Sequence, residues 1–189
     1  MDRATFCQAA LAAVVAPPAG TPSPATVPSP NPWDACDKSV ALPYDKPLDM
    51  TMQVLDGPDF HLVNYRERPV LLNIFATWCG PCNKEQPALV ELAQKYAPQG
   101  LVVIGVNDAE PDDTVRAYRK KYGITYPIAM DRKGFMTLAL QDRVSAAQFD
   151  ALFPTDIFID TRGYLYCYRT GGMSRDELEY RIEKFLASA

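Results

Sequence analysis

Cys79 and Cys82 stand two residues apart in FATWCGPCNKEQP, Phe75 to Pro87, after an apolar run and before a helix-like stretch. Such a pair serves metal ligation, a structural cross-link or thiol–disulfide exchange. A structural zinc site needs four ligands, and His61 is the only histidine in the chain. Cys36 and Cys167 could be recruited, yet no second C-x-x-C accompanies the pair. A sole histidine in a β-rich run reads as a surface or packing residue, so no metal is expected. Exchange explains more. At a helix N-terminus the thiolate of Cys79 is stabilised by unpaired backbone N–H groups and the helix dipole. Cys82, one turn on, is placed to attack a mixed disulfide formed at Cys79.

The elements that must hold the pair are legible in the apolar pattern. DMTMQVLDG and FHLVNY, separated by the turn signal Asp56-Gly57, read as a hairpin. PVLLNIFAT is a continuous apolar run of strand length, as in a strand buried on both faces. A helix starts at Gly80-Pro81 and carries Leu89, Leu92, Ala93 and Tyr96 on one face, with a kink expected at Pro87. LVVIGVN is a second buried strand. A helix opened by Pro111, Asp112 and Asp113 ends at Gly123, and YPIAMD is a third strand. TDIFID and YLYCYRT form a hairpin around Thr161-Arg162-Gly163. A last helix opens on the capping box of Ser174 and Glu177. This order predicts an α/β fold: a mixed central sheet with helices on both faces and an added N-terminal β-hairpin.

WCGPC, a proline five residues past the second cysteine, and the distant FPTDIFIDTRG together resemble the TlpA/ResA/DsbE-like thiol–disulfide oxidoreductases of the thioredoxin-fold superfamily. The resemblance spans most of Leu48 to Ala187. It implies a thioredoxin-like three-layer domain with Cys79 attacking and Cys82 resolving. It also implies a cis-proline at Pro154 that faces the pair, and a substrate groove formed by Trp78, Gly80, Pro81, Phe153 and Pro154. Glu85, three residues after the second cysteine, matches an acid that lies near the active site in this branch. There it would shuttle the proton of Cys82; as an ordinary helix residue it would be a solvated glutamate. Asn73 stands where thioredoxins proper carry a buried aspartate, so that acid is expected to be absent. The segment from Asp131 to Pro154 is longer than the family pattern, and Phe153 is bulky for its place. Both bear on the choice of partner.

The first 20 residues carry one arginine and an apolar run from Phe6 to Ala16, the length of a secretory signal core and too short to span a bilayer. A disordered, alanine-rich tail is the alternative. Residues 21–47 are rich in proline and small residues and read as an extended linker; the folded domain is expected over 48–189. With Cys7 inside the presumed signal, four cysteines remain. That even number suits an oxidising compartment, and Cys36–Cys167 is the expected structural disulfide. A net charge of −4 without a basic cluster gives no footprint for nucleic acid.

The expected function is reduction of specific protein disulfides by an exported, periplasmic protein, soluble or tethered to the membrane by its N-terminal segment. No cofactor is expected. Gly-Pro between the cysteines resembles thioredoxin, whose potential of about −270 mV favours reduction. The resemblance further implies a membrane thiol–disulfide electron donor, and clients in cytochrome c maturation or copper-site assembly. Two alternatives differ in class. The reduced pair could hold Cu(I) as a metallochaperone, or the chain could be a peroxiredoxin-type peroxidase.

Overall fold

Six consecutive buried positions mark each of the two central strands, β3 (Val70–Phe75) and β4 (Val102–Asn107). An apolar run without alternation is what a strand covered on both faces requires. A computed structural model describes residues 47–134 and 153–188, all within the unit Asn31–Ala189. The N-terminal segment, the linker, Cys7, Cys36 and most of the long segment after Asp131 lie outside the described residues.

The chain runs β1 (Thr51–Val54), β2 (Phe60–His61), β3, α1 (Gly80–Tyr96), β4, α2 (Asp112–Tyr122), β5 (Ile128–Met130), β6 (Thr155–Ile159), β7 (Leu165–Thr170) and α3 (Arg175–Leu186). The strands form one mixed sheet in the order β2-β1-β5-β4-β3-β6-β7. β3, β4 and β5 are parallel, while β6, β7, β1 and β2 pair antiparallel to their neighbours. This is the expected thioredoxin-like architecture with its added hairpin.

Local signals act where they were read. Gly123 ends α2 at φ +64°, a left-handed cap that glycine adopts without a Cβ penalty. Ser174 accepts a hydrogen bond from the Glu177 N–H and opens α3. α1 continues through Pro87 as one helix. The second arm of the hairpin is shorter than its pattern. Phe60 and Leu62 are buried in alternation with exposed His61, but only Phe60–His61 pairs, and Leu62–Tyr65 coils into a 3-10 turn. Tyr65 thereby reaches the Phe60 ring, with centroids 5.1 Å apart. His61 is exposed and contacts the Thr51 hydroxyl, as a surface residue.

Leu71, Leu72, Ile74, Ile104, Phe158, Tyr168 and Phe185 are all buried around β3, β4 and β6. Burial of each such side chain stabilises the fold by roughly 1.5–3 kcal/mol. α1 and α3 lie together, joined by Lys95–Glu179 and Arg175–Glu91 ion pairs at their rims. Among the described residues no helix is long and apolar enough to cross a membrane.

Candidate active site

The register of the sheet assembles the site. β3 ends at Phe75, and the cysteine motif follows at once. β6 runs antiparallel beside it, pairing Thr155 with Ile74, so Pro154 at the start of β6 falls beside the loop that leaves β3. β4 runs parallel on the other side, pairing Asn107 with Phe75, so the loop after β4 reaches the same place. Three loops therefore converge on one sheet end, as active sites of open α/β sheets do.

Cys79 and Cys82 are joined as a disulfide. Cys79 is the N-cap of α1, and the Cys82 N–H donates to its Sγ at 3.1 Å. In the reduced protein the same N–H and the helix dipole favour a thiolate at Cys79. Both cysteines are almost fully buried in this oxidised form. The reactive end is marked instead by Trp78, which is 56% exposed. Its ring meets buried Phe153 edge-on, with centroids 5.8 Å apart, and this contact joins the motif loop to the proline loop. The Phe153–Pro154 bond is cis, and the Pro154 carbonyl accepts from the Gly171 N–H at 2.8 Å. Gly172 closes the other side. A Cβ there would sit 3.2 Å from that of Pro81, so this backbone approaches the motif closely and a larger residue would push Pro81 aside. A cleft of about 720 Å³ is lined by Pro81, Lys84, Pro87, Met173 and Arg175.

Glu85 is buried, not solvated. Its Oε2 accepts from the Met173 N–H at 2.6 Å and its Oε1 from Asn73 Nδ2 at 3.3 Å. Burial, and then the charge of nearby Asp156, push its carboxyl far above the ordinary range. The position of Asn73 on β3 carries no acid, as expected, but the neighbouring strand supplies one. Asp156 stands directly opposite on β6 and accepts from the same Asn73 amide at 2.9 Å. The buried acid here stands one strand across from Asn73. Its signal was an aspartate inside a strand otherwise fit for the core, TDIFI.

Glu110 is a second residue that motif reading misses. Its carboxylate accepts from the Thr77 N–H at 2.7 Å, the Thr77 hydroxyl at 2.6 Å and Asn107 Nδ2 at 2.7 Å. Asn83 Nδ2 donates to the Thr77 carbonyl at 3.1 Å and is itself held by Tyr122. The residue preceding Trp78 is thus pinned from two sides. Glu110→Ala should destabilise the fold by about 2 kcal/mol, the usual loss for charge-assisted bonds left unmade. Disulfide reduction should slow with it as the motif loop loosens. Denaturant unfolding beside an activity assay checks this; unchanged values in both would remove Glu110 from the support of the site.

Cys167 is buried in β7 and is disulfide-bonded; Cys36, its expected partner, lies outside the described residues.

Residues 43–166 match the family model described as the AhpC/TSA family. The thiol–disulfide oxidoreductase ResA of Geobacillus kaustophilus is 34% identical over 135 residues, covering 71% of this chain and 73% of the relative. The chain belongs to the ResA-like thiol–disulfide oxidoreductases. The thioredoxin-like protein YneN of Bacillus subtilis is 33% identical over 138 residues, covering 71% and 75%. A solved thiol:disulfide interchange protein of the thioredoxin family from Chlorobium tepidum superposes with a TM-score of 0.64 at 25% identity, covering 77% of this chain and 98% of that one. This ResA-like oxidoreductase carries its dithiol at the N-terminus of α1, where thiol–disulfide exchange needs it.

Proposed function

We propose that the protein reduces selected protein disulfides outside the cytoplasm. The observation that carries this reading is the Cys82 N–H donating to Cys79 Sγ at the helix N-cap, which makes Cys79 the better thiolate. Cys79 attacks a substrate sulfur, the substrate S–S bond breaks, and one substrate sulfur leaves as a thiolate. Cys82 then loses its proton and attacks Cys79 Sγ. The mixed disulfide breaks, the second substrate sulfur leaves, and two electrons have passed to the substrate. The enzyme is left as the disulfide form described above.

The same reading places an extended substrate segment against Trp78, Gly80, Pro81 and the backbone around Pro154, with Phe153 acting from behind Trp78. Phe153→Thr is expected to change preference among protein substrates rather than abolish reduction. The Cys36–Cys167 bond, export through the N-terminal segment, a membrane thiol–disulfide donor, and clients of the cytochrome c or copper-site assembly type complete the proposal. Gly-Pro between the cysteines supports the reducing direction.

Insulin reduction by the dithiol form tests the reading, run beside peroxide consumption. Turnover of insulin disulfides with negligible peroxide use is the expected result. Peroxide consumption without disulfide reduction would overturn it in favour of a peroxiredoxin-type peroxidase.

A further inference from the structure

Resolution at Cys82 needs somewhere to put a proton, and the interior beneath the motif holds two carboxyls. Cys82 and Glu85 are three residues apart on α1 and both buried, which makes them neighbours on one helix face. Asp156 on β6 is wholly buried. Asn73 stands between the acids and gives one N–H to each. The two acids thus meet at one amide, Glu85 Oε1 at 3.3 Å and Asp156 Oδ1 at 2.9 Å from Asn73 Nδ2. Yet Asp156 Oδ2 has no N–H or O–H donor among the described residues. Two carboxylates cannot donate to one another. One proton between them supplies the missing donor, and without it two like charges share a single amide in a buried site.

The surroundings decide which member is charged. Burial raises Asp156 as well, but the Asn73 amide and the charges of Arg169 on β7 and Arg181 on α3 oppose it, and both arginines pair with Glu177 on α3. Among the described residues Glu85 receives only the neutral Asn73 and Met173 donors. Tyr118 on α2 and Tyr126 before β5 also face the pair, but burial pushes both phenols up, out of the range concerned. The proton therefore rests on Glu85 and the charge on Asp156.

We propose that Asp156 is the terminal proton acceptor of the resolving step: the Cys82 proton enters at Glu85 as Glu85's own proton passes to Asp156. The S–H bond breaks and an O–H bond forms on Asp156, with Glu85 neutral before and after. Cys82 becomes the thiolate that displaces the substrate, and Asp156 returns the proton to solvent when the next cycle begins. Asp156 is a positioning residue that acts through Glu85. The inference rests on the reductive reading above.

One equivalent of 5,5′-dithiobis(2-nitrobenzoate), mixed with the reduced full-length protein in stopped flow, separates the steps. The first release of chromophore reports attack by Cys79, and the second reports resolution by Cys82. In wild type the second phase should already be fast at pH 7. In Asp156→Asn and in Glu85→Gln it should slow about tenfold or more at pH 7. Its pH profile should move up toward the free-thiol value of about 8.5, with the first phase changed less than about twofold. A second phase in Asp156→Asn with the wild-type pH profile overturns the inference, whatever Glu85→Gln does. Carbon-13 carboxyl titration of oxidised wild type provides a measurement independent of variant folding. Two coupled steps seen at both carbons support the pair; two independent titrations in the ordinary carboxylate range overturn it. Because the reagent is an artificial disulfide, these readings stand even if insulin is not reduced, which would defeat only the functional proposal.

Discussion

Cys82→Ser should hold partners covalently, while Cys79→Ser should hold none, and both should lose turnover to background. The asymmetry follows from the helix N-cap. Cys79 Sγ accepts the Cys82 N–H at 3.1 Å, and a thiolate there gains from this bond and from the dipole of α1. Cys82, inside the first turn, has no comparable donor in the described structure and serves to displace what Cys79 has captured. Serine at 82 leaves the first bond-making intact and removes the second nucleophile, so the mixed disulfide persists. Serine at 79 removes the entry point. Non-reducing gels and mass spectrometry of each variant, after exposure to oxidised insulin and to an extracytoplasmic extract, supply the measurement. Adducts on the Cys79→Ser variant, with none on Cys82→Ser, would reverse the roles of the two cysteines.

What could be read in advance, and what could not, divides along the range of the interactions. Cys79, Cys82 and Pro81 announce themselves because a helix N-cap, a first-turn proline and a one-turn spacing are local facts. The strands β3 and β4 were visible as unbroken apolar runs, and α3 through Ser174 and Glu177. The shortened β2 was less so: the alternation of Phe60, His61 and Leu62 is real, but a two-fold pattern cannot say where pairing ends and a 3-10 turn begins. Asp156 and Glu110 were hidden for another reason. Each matters only through a neighbour distant in sequence, Asn73 for the first and Thr77 for the second. Their meaning depends on β6 lying on one side of β3 and β4 on the other. Apolar periodicity reveals elements; it does not reveal which strand lies beside which. Asn73 alone therefore does not announce the acid that stands opposite it on β6.

Glu85→Gln should make the oxidised protein more stable at alkaline pH, by on the order of 2 kcal/mol at pH 8. In the oxidised form neither motif cysteine titrates, so the carboxyl pair stands alone. Glu85 has an ordinary value of 4.5 and is raised, first by burial and then by the Asp156 charge; Asp156 is raised by burial from 3.8. A carboxyl raised in the fold binds its proton more tightly there than in the unfolded chain. Its contribution to stability is complete below the unfolded value and is lost as pH rises toward the folded one. Wild type should therefore weaken from about pH 5 into the alkaline range, by at most about 1.4 kcal/mol per pH unit where one such group dominates. Glutamine at 85 removes the group that must ionise. Its carbonyl can still accept from the Met173 N–H, while its amide takes the place of Oε1 and gives up the long bond from Asn73. The variant's stability should thus vary less with pH above about 6, while its resolving step is slowed: function and stability pull in opposite directions at this residue. Urea unfolding of both oxidised proteins at intervals from pH 5 to pH 9 decides it. Parallel curves, or a variant less stable than wild type at pH 9, would mean that Glu85 is ionised at no such cost and that the pair does not hold a shared proton.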